Sequence, residues 1–377
     1  MKINLYCFLL FSIVSLPVVA ESDMFPNGKF PLLFNNYLGN AENIHPKVLY
    51  FENGWKGYEF WMAYTPYPKG QTSMENPCIA VSHDGFSWFE PVEGINPLYP
   101  CPENGYNSDT HLVYDSENDC LEIWWRPYDR ETRTDRFCRR ITYDGITWTE
   151  PEITLPSAKS DEMRLSPAVH IENDEYVLVY RGDSRSLKVV RADRDDPELK
   201  WSEPKTLPVD WGDLTPWHQD LIVDEDGNWE LVVCCYTPGN NSNSADLYYV
   251  KLNPESDEPA SPRLILSRGE EGDFDSRSIY RSSIVKVDGK YYIYYSAIDA
   301  DWNRAMSLLI GDSIESLEGY VPSDTGEPEL FEFEPDDSFP PRWFDLSGRS
   351  LNTTPSSPGL YIRKNGNKSE KLMIKSN

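Results

Sequence analysis

Short apolar stretches alternate with polar turns along most of the chain, and they recur in a fixed order. Each copy has a short apolar strand, a polar turn, and a second strand rich in aromatic and β-branched residues, which is typical of paired β-strands. The second copy, for example, has 111–114 followed by 121–125, and the fifth has 283–287 followed by 291–295. Five copies recur about 50 to 65 residues apart, and this period indicates a repeat architecture.

A turn motif, Asp-Gly-x-Ser/Thr-Trp followed by x-Glu-Pro, repeats out of phase with these strands. It ends on Trp88 and Trp148, and a looser copy ends on Trp201. Asp-Gly between extended runs is a strong signal for a tight β-turn. We interpret the three copies as structural turns in which the tryptophan covers the end of its own sheet and the proline ends the strand.

Radial repetition of small antiparallel sheets is the β-propeller architecture. We therefore predict an all-β fold, a five-bladed β-propeller over 21–325 with a small C-terminal β tail. The first strand of each blade is expected at about 47–51, 111–115, 168–171, 221–224 and 283–287, where short apolar runs begin each copy. A β-sandwich is the alternative, but it does not explain five in-phase copies.

The two ends of the chain differ from the repeats. A lysine, an apolar run and small residues before Glu21 predict a signal peptide over 1–20, and hence a secreted or cell-surface protein. An acidic, proline-rich linker is predicted at 326–341, followed by the tail at 342–377. The order of elements in this tail resembles the C-terminal sorting signal of type IX secretion substrates. That resemblance implies a contact with secretion machinery, and a small terminal β-hairpin packed on the propeller is the alternative.

The overall charge limits the classes of partner. Lysine and arginine total 35 against 62 acidic residues, which gives a net charge of −27. Such a surface repels nucleic acid and anionic lipid. No apolar run outside the signal peptide approaches the length of a membrane span. We expect a monomeric protein whose partner is carbohydrate, not nucleic acid.

The cysteines suggest a disulfide bond and no metal site. Export permits disulfides, and Cys120 and Cys138 are placed symmetrically about Asp129 in a segment that reads as strand, turn, strand. We therefore predict a Cys120–Cys138 disulfide. No pair of cysteines or histidines has the spacing of a zinc site. No metal ligand is assigned and no cofactor is required, although a cation such as calcium in the channel is compatible with the pattern.

The candidate site follows from propeller geometry, because the first residues of the five innermost strands meet at one mouth of the channel. Aligning the copies places these residues there: His45, Asp109, His111, Arg164, His218, Asp220 and Arg281.

We assign roles to these residues by their chemistry. Asp109 and Asp220 are the predicted catalytic carboxylates, with Glu162 as a reserve acid. His111 and His218 are candidates for donating a proton, tuning the carboxylates or holding a cation. His45, Arg164 and Arg281 are assigned to substrate binding, since paired arginine hydrogen bonds suit the carboxylate of a uronate or sialate. A structural salt bridge is the alternative for each arginine.

The blade pattern, the turn motif and the residue-Pro opening of the first blade resemble the five-bladed propeller glycoside hydrolases of families 43 and 32. The resemblance implies a hydrolase of poly- or oligosaccharides that uses carboxylates from the first three blades. Where those enzymes open with Asp-Pro, this chain has His45-Pro46, and the position of their third-blade glutamate is Leu165. Asp109 alone lies near an expected carboxylate position. A non-catalytic glycan-binding propeller and a sialidase-like hydrolase are the alternatives.

Overall fold

Five small antiparallel sheets follow one another along the chain, which confirms the predicted five-bladed β-propeller. The computed structural model describes residues 28, 30–158, 164–182, 185–322, 342–344, 350–351, 359–365 and 368–374. The predicted signal peptide, the predicted linker and Glu162 lie outside these residues. The helical segments of the described residues are short 3₁₀ turns at Pro68–Gly70, Thr72–Met74, Ser242–Ser244 and Ile314–Ser316.

The strands of each blade are consecutive in the sequence. Blade 1 has β1 (Asn43–Trp55), β2 (Tyr58–Pro66) and β3 (Cys78–Ser82). Blade 2 has β4 (Gly105–Tyr106), β5 (His111–Asp115), β6 (Cys120–Trp125), β7 (Tyr128–Asp129), β8 (Thr134–Thr142) and β9 (Glu152–Ala158). Blade 3 has β10 (Leu165–Glu172), β11 (Glu175–Arg181), β12 (Leu187–Asp193) and β13 (Lys205–Thr206). Blade 4 has β14 (Thr215–Val223), β15 (Trp229–Tyr236), β16 (Asp246–Leu252) and β17 (Arg263–Leu266). Blade 5 has β18 (Ser278–Val287), β19 (Lys290–Ile298), β20 (Arg304–Gly311) and β21 (Glu318–Gly319).

The innermost strands form a closed ring. Strands β1, β5, β10, β14 and β18 contact one another in this order, and β18 returns to β1. The segment before β1 adds to this closure, since the Leu32 amide donates to the Met306 carbonyl at 2.8 Å. Leu32 and Phe34 also enter the apolar cluster shared by blades 1 and 5. The ring is thus closed by packing between the first and last blades.

Several innermost strands begin with a β-bulge. In a regular strand successive side chains point to alternate faces of the sheet, and a bulge changes the direction of those next to it. The register shifts lie between Ile44 and Lys47, Leu165 and Ala168, Pro216 and His218, and Ile279 and Arg281. Left-handed backbone accompanies them, with φ of 57° at His45 and 54° at Asp109 and Ser166. Non-glycine residues in this conformation carry strain that the surrounding structure must hold. Three of these strained positions therefore lie where innermost strands of blades 1, 2 and 3 begin.

Two residues further along these strands, a buried ion pair joins opposite blades. The Lys47 ammonium of blade 1 donates to both Asp220 oxygens of blade 4, at 2.8 and 2.9 Å. The Ile284 amide of blade 5 donates to Asp220 Oδ2 at 2.9 Å. Buried charges persist when they are paired and hydrogen-bonded in this way. The pair fixes three blades around the axis.

The tryptophans of the repeated turn pack against the preceding blade as well as their own. Trp88 lies 5.9 Å from Tyr294 of blade 5, and Trp201 lies 6.5 Å from Trp124 of blade 2, between ring centroids. Trp148 joins an apolar cluster that includes Trp61 of blade 1. The turn motif therefore connects neighbouring blades, a role that the sequence pattern did not reveal.

The predicted Cys120–Cys138 disulfide is wrong, because both cysteines are free thiols. In the ladder of β6 with β8, Leu121 pairs with Thr142 and Trp125 pairs with Cys138. Cys120 and Cys138 therefore lie towards opposite ends of this ladder. The hairpin is centred further along the chain than Asp129, because Asp129 itself belongs to β7 and pairs with Thr134.

The C-terminal part of the chain is a separate unit, 323–377. Its described strands are β22 (Arg342–Phe344), β23 (Ser350–Leu351), β24 (Gly359–Asn365) and β25 (Lys368–Ile374), in one antiparallel sheet ordered β23-β22-β24-β25. A role in export stays a prediction, and part of the motif order behind it lies outside the described residues. In the part of the chain that the structure describes, no helix has the length and apolar character to cross a membrane.

Substituting Gly145 tests the blade-linking role of the turn motif. A Cβ on Gly145 would lie 2.3 Å from the Trp61 ring, and φ is +78° there. Gly227 has the same φ of +78° with no neighbouring atom within 4 Å, so Gly227→Ala is a matched control. Both substitutions should cost about 1 kcal/mol for left-handed backbone. Gly145→Ala should cost about 2 kcal/mol more from the overlap with Trp61.

Urea unfolding of the two variants and the wild type measures this difference. Equal destabilisation by the two substitutions would show that the contact between Gly145 and Trp61 does not hold blades 1 and 2 together.

Candidate active site at the channel mouth

A cleft of about 390 Å³ opens at the mouth of the channel, and side chains from all five blades line it. Its lining residues are Tyr67, Thr72, Glu75, Tyr106, Ser108, Asp109, Arg126, Tyr128, Arg133, Asp135, Leu165, Trp217, His218 and Tyr280. The cleft combines aromatic walls with a few buried ionisable groups. This combination is typical of small-molecule sites in proteins.

Asp109 lies at the base of the cleft and is 1% exposed. Arg126 Nε donates to Asp109 Oδ2 at 2.7 Å, and Arg281 Nη1 lies 3.7 Å from Oδ1. Burial alone would raise the pKa of Asp109, but the charges of the neighbouring arginines, Arg126 before Arg281, outweigh it. The pKa is therefore held well below its usual range, and Asp109 is ionised at any physiological pH.

Two buried histidines face the same carboxylate. His45 Nε2 lies 3.4 Å and His218 Nδ1 lies 3.7 Å from Asp109 Oδ1. Burial lowers the pKa of His45 to about 3, and it lowers the pKa of His218 well below its usual value, although Asp109 raises both. Both rings are therefore neutral at pH 7. The Nε2 atoms of both are buried without a hydrogen-bond partner among the described residues.

His45, Asp109 and His218 are arranged as a metal-ligand set. One potential ligand atom of each lies within 4.8 Å of those of the other two. Neutral imidazole and carboxylate are the donors that zinc and other divalent transition metals take in proteins. The sequence analysis assigned no metal ligand, because the three residues come from blades 1, 2 and 4 and have no short spacing. The sequence feature that could have indicated a metal site is the occurrence of a histidine, His45 or His218, near the start of two innermost strands.

Glu75 was missed by the sequence analysis. It lies in the loop between β2 and β3, and its Oε1 is 3.3 Å from His45 Nδ1, while Thr65 Oγ1 is 2.9 Å from the same nitrogen. Burial, followed by the charge of Asp109, raises the pKa of Glu75 well above its usual value. Burial therefore favours the protonated, uncharged form of Glu75, beside the neutral ring of His45.

Asp135 of β8 is a third carboxyl group of the cleft and was also missed. Arg126 lies between the two aspartates, with Nη1 3.6 Å from Asp135 Oδ2. Burial raises the pKa of Asp135 to about 6, although Arg126 lowers it. Asp109 and Asp135 share one arginine, yet their pKa values move in opposite directions.

Of the residues predicted at the mouth, His45, Asp109, His218 and Arg281 come together. Arg281 is fully buried and donates to Ser166 Oγ and the Pro167 carbonyl, both at 3.3 Å, and Ser166 Oγ also contacts His218 Nδ1. Arg281 therefore supports Asp109 and His218 from behind, and it does not line the cleft.

The other predicted residues do not line the cleft. Both oxygens of Asp220 are occupied by Lys47. His111 contacts the backbone of Val169 at 2.9 Å, and its Nδ1 lies 3.9 Å from Asp220. Arg164 donates to the Pro156 carbonyl at 2.8 Å. The geometry thus gives Asp220 and His111 a place in the ring, below the cleft, and Glu162 lies outside the described residues.

No family model matches the chain. The A type blood N-acetyl-α-D-galactosamine deacetylase of Flavonifractor plautii is 28% identical to it over 346 residues. This match covers 76% of the chain but 44% of the relative, so the chain spans less than half of that protein's length.

Solved structures share the propeller. A crystal structure of an N-acetylgalactosamine deacetylase from F. plautii in complex with blood group B trisaccharide has a TM-score of 0.60 at 23% identity, covering 75% of this chain and 92% of that one. An exo-1,5-α-L-arabinanase from a bovine ruminal metagenomic library has a TM-score of 0.54 at 14% identity, covering 75% and 99%. An α-L-arabinofuranosidase from Podospora anserina in complex with cellotriose has a TM-score of 0.55 at 12% identity, covering 77% and 98%. The chain thus has the five-bladed fold of a carbohydrate deacetylase and of glycoside hydrolases.

The raised pKa of Asp135 should appear as a pH-dependent stability. Between pH 8 and pH 5 the folded protein takes up a proton at Asp135, whose pKa is about 6, whereas an unfolded aspartate, with a pKa of about 3.9, stays ionised. The free energy of unfolding of the wild type should therefore rise relative to Asp135→Asn as the pH falls, by about 1 kcal/mol. Urea unfolding at pH 5, 6, 7 and 8 measures this change.

Asp144→Asn is the control for that series. Backbone hydrogen bonds from Thr147 and Ile146 lower the pKa of Asp144 to about 2, so it is ionised in both states above pH 5. Its effect on stability should not change over this range. A difference between wild type and Asp135→Asn that is equally flat would contradict the raised pKa.

Proposed function

We propose that this chain is a deacetylase of N-acetylated sugars, which hydrolyses the acetamide group of a glycan bound in the cleft. The observation that carries the proposal is the buried set of His45, Asp109 and His218 beside Glu75, whose pKa is raised by burial. The relative from F. plautii supports it, because the match covers 76% of this chain.

The three residues fit a divalent cation. The two imidazoles are neutral, the carboxylate is ionised, and two imidazole nitrogens are buried with no other partner among the described residues. A bound divalent ion supplies Lewis acidity, which polarises an amide carbonyl and lowers the pKa of water. Arg126 holds Asp109 Oδ2, so that Oδ1 faces the two histidines. Such supporting contacts fix the orientation of ligand groups.

The remaining ionisable groups of the cleft suit amide hydrolysis. Glu75 holds a proton near neutral pH and can deliver it to the nitrogen of the amine that leaves. Asp135, with a pKa of about 6, is mostly ionised at pH 7.5 and can take a proton from the attacking water. The carbon–nitrogen bond breaks, and acetate and the free amino sugar are the products. Two carboxyl groups in opposite protonation states thus take separate roles.

The walls of the cleft suit a sugar ring. Tyr280 lies 4.9 Å from the His218 ring and 6.5 Å from Tyr67, between centroids. Trp217 also lines the cleft and lies 5.5 Å from His218, between ring centroids. Aromatic side chains offer large apolar faces with a polar edge. We infer that the sugar is held against these faces, with its acetamide group towards Asp109.

Glycoside hydrolysis is the second candidate function, and the pair Asp109 and Asp135 favours it. Glycosidases need two carboxyl groups of different protonation state flanking one bond. Here Arg126 connects an ionised Asp109 with an Asp135 whose pKa is raised. The two functions release different products, which makes them separable by experiment.

The decisive assay compares acetate and sugar released from a glycan that ends in α-N-acetylgalactosamine. The wild type should release acetate and leave the glycosidic bond intact. Asp109→Asn and His218→Gln should each reduce this rate by about 10²-fold or more, since they remove a group that positions the reacting atoms. Dialysis against a chelator should have a similar effect, and adding back zinc or manganese should restore the rate.

His83→Gln is the matched control, because His83 is an exposed histidine of blade 1 whose Nδ1 lies 2.7 Å from Glu59. Its rate should equal that of the wild type. Release of N-acetylgalactosamine with its acetyl group intact would establish the glycosidase instead. Glycan binding without either product would show a catalytically silent propeller.

A further inference from the structure

A tryptophan is held in strained backbone beside the cleft. Trp302 lies in the turn between β19 and β20, has φ of 67°, and is 39% exposed. Bulky residues rarely adopt positive φ, and such outliers cluster at binding sites. An exposed, strained indole at the channel mouth has no role in the core of blade 5.

The turn that carries Trp302 is rigid. The Asp299 carboxylate accepts hydrogen bonds from the Asp301 amide at 2.9 Å and the Asn303 amide at 2.8 Å. Lys69 of blade 1 donates to the Asp301 carbonyl at 3.2 Å. The backbone is thus fixed on both sides of Trp302, which reduces the conformational freedom that the turn would lose on binding a ligand.

Two arginines accompany this indole without a counter-ion. The guanidinium carbon of Arg277 lies 3.9 Å from the centroid of the Trp302 ring, and that of Arg304 lies 5.7 Å from it. Among the described residues, no carboxylate lies within 4.0 Å of either guanidinium. The Nε atoms of both are buried with no hydrogen-bond partner there.

The nearby carboxylates are engaged elsewhere. Glu42 accepts from the backbone amides of Lys69 and Arg304, at 3.0 and 3.2 Å. Asp299 accepts from its own turn. Glu42 and Asp299 nevertheless keep their charge and partly offset the burial that lowers the pKa of Arg304. Arg277 is thus the partly exposed arginine beside Trp302 that pairs with no carboxylate among the described residues.

The two arginines adjoin the cleft. Arg304 lies 5.0 Å from the centroid of Tyr67, which lines the cleft. Arg277 directly precedes β18, which carries Tyr280 of the cleft. A sugar linked to the one in the cleft can therefore extend towards Trp302 and Arg277.

We infer that Arg277 and Trp302 form a subsite for an acidic sugar residue, attached to the sugar bound in the cleft. A guanidinium stacked on an indole can present its N–H edge for paired hydrogen bonds to a carboxylate or a sulfate group. Arg304 is buried and donates to the Trp302 carbonyl, so it supports the turn that carries the indole. The inference rests on the proposed function only in that the cleft binds a sugar. The sequence analysis had assigned a sugar carboxylate to Arg164 and Arg281, which are bonded to backbone carbonyls instead.

Calorimetric binding tests the subsite independently of acetate release. The probes are methyl β-galactoside and its 6-sulfated, α2,6-sialylated and glucuronylated forms, which have no acetamide on the galactose. The wild type should bind at least one acidic probe about 10-fold or more tightly than the neutral one, as charge-assisted hydrogen bonds allow. Comparing the affinities for the three acidic probes distinguishes a preference for sulfate from one for sialate or uronate.

Variants locate the effect. Arg277→Ala should remove most of the preference for the acidic probe, and Arg277→Gln, which keeps the length of the side chain, should do the same if the alanine variant folds poorly. Trp302→Ala should weaken the binding of the acidic probe more than Trp302→Phe does. Arg263→Ala is the matched control, because Arg263 also lies over a tyrosine, at 5.8 Å from Tyr249, but pairs with Glu315.

The outcomes separate the two proposals. Acidic preference that Arg277→Ala and Arg277→Gln abolish, and Arg263→Ala leaves, supports the subsite even if no acetate is released in the activity assay. Equal binding of acidic and neutral probes by the wild type overturns it, and so does a preference that both Arg277 variants retain.

Discussion

The ionised carboxylate of Asp109 is the group around which the channel mouth is arranged. It is buried, and an unpaired buried charge is unstable, so its environment must supply compensation. Arg126 supplies most of it through a 2.7 Å hydrogen bond, and Arg281 adds charge from the opposite side. Breaking a buried pair of this kind typically costs about 3 to 5 kcal/mol. The two histidines then stay neutral because burial outweighs the attraction of Asp109.

The propeller places this group by combining a rigid ring with strained strand starts. The Lys47–Asp220 pair and the contacts of His111 fix the ring one layer below the mouth. Above that layer, left-handed backbone at His45 and Asp109 turns their side chains towards each other. A regular strand would alternate these side chains between faces. The site therefore depends on the buried Lys47–Asp220 ion pair beneath it, which takes no part in the proposed chemistry.

Much of the fold follows from the sequence, because each blade repeats the same pairing of apolar strands. The convergence of His45, Asp109 and His218 was predictable for the same reason, since each stands at the start of an innermost strand. The sequence could not predict that Asp109 lines the cleft while Asp220 lies in the ring below it, because a displacement of only two residues along a strand separates these two positions.

Other features depend on structure that no short pattern encodes. Glu75 and Arg126 reach the site from a loop and from the end of a second strand. Their positions are set by the path of those segments and not by the repeat. The disulfide prediction failed on the same ground, because β7 moves the centre of the hairpin away from Asp129.

The central claim is that His45, Asp109 and His218 hold a divalent cation in the working protein. Anomalous diffraction from crystals of protein that has been dialysed against zinc or manganese, and shown to be active, tests it most directly. The account predicts one strong anomalous peak within about 2.5 Å of a ligand atom of each of the three residues. An active crystal with no peak there, or with its peak at another group of residues, would contradict it.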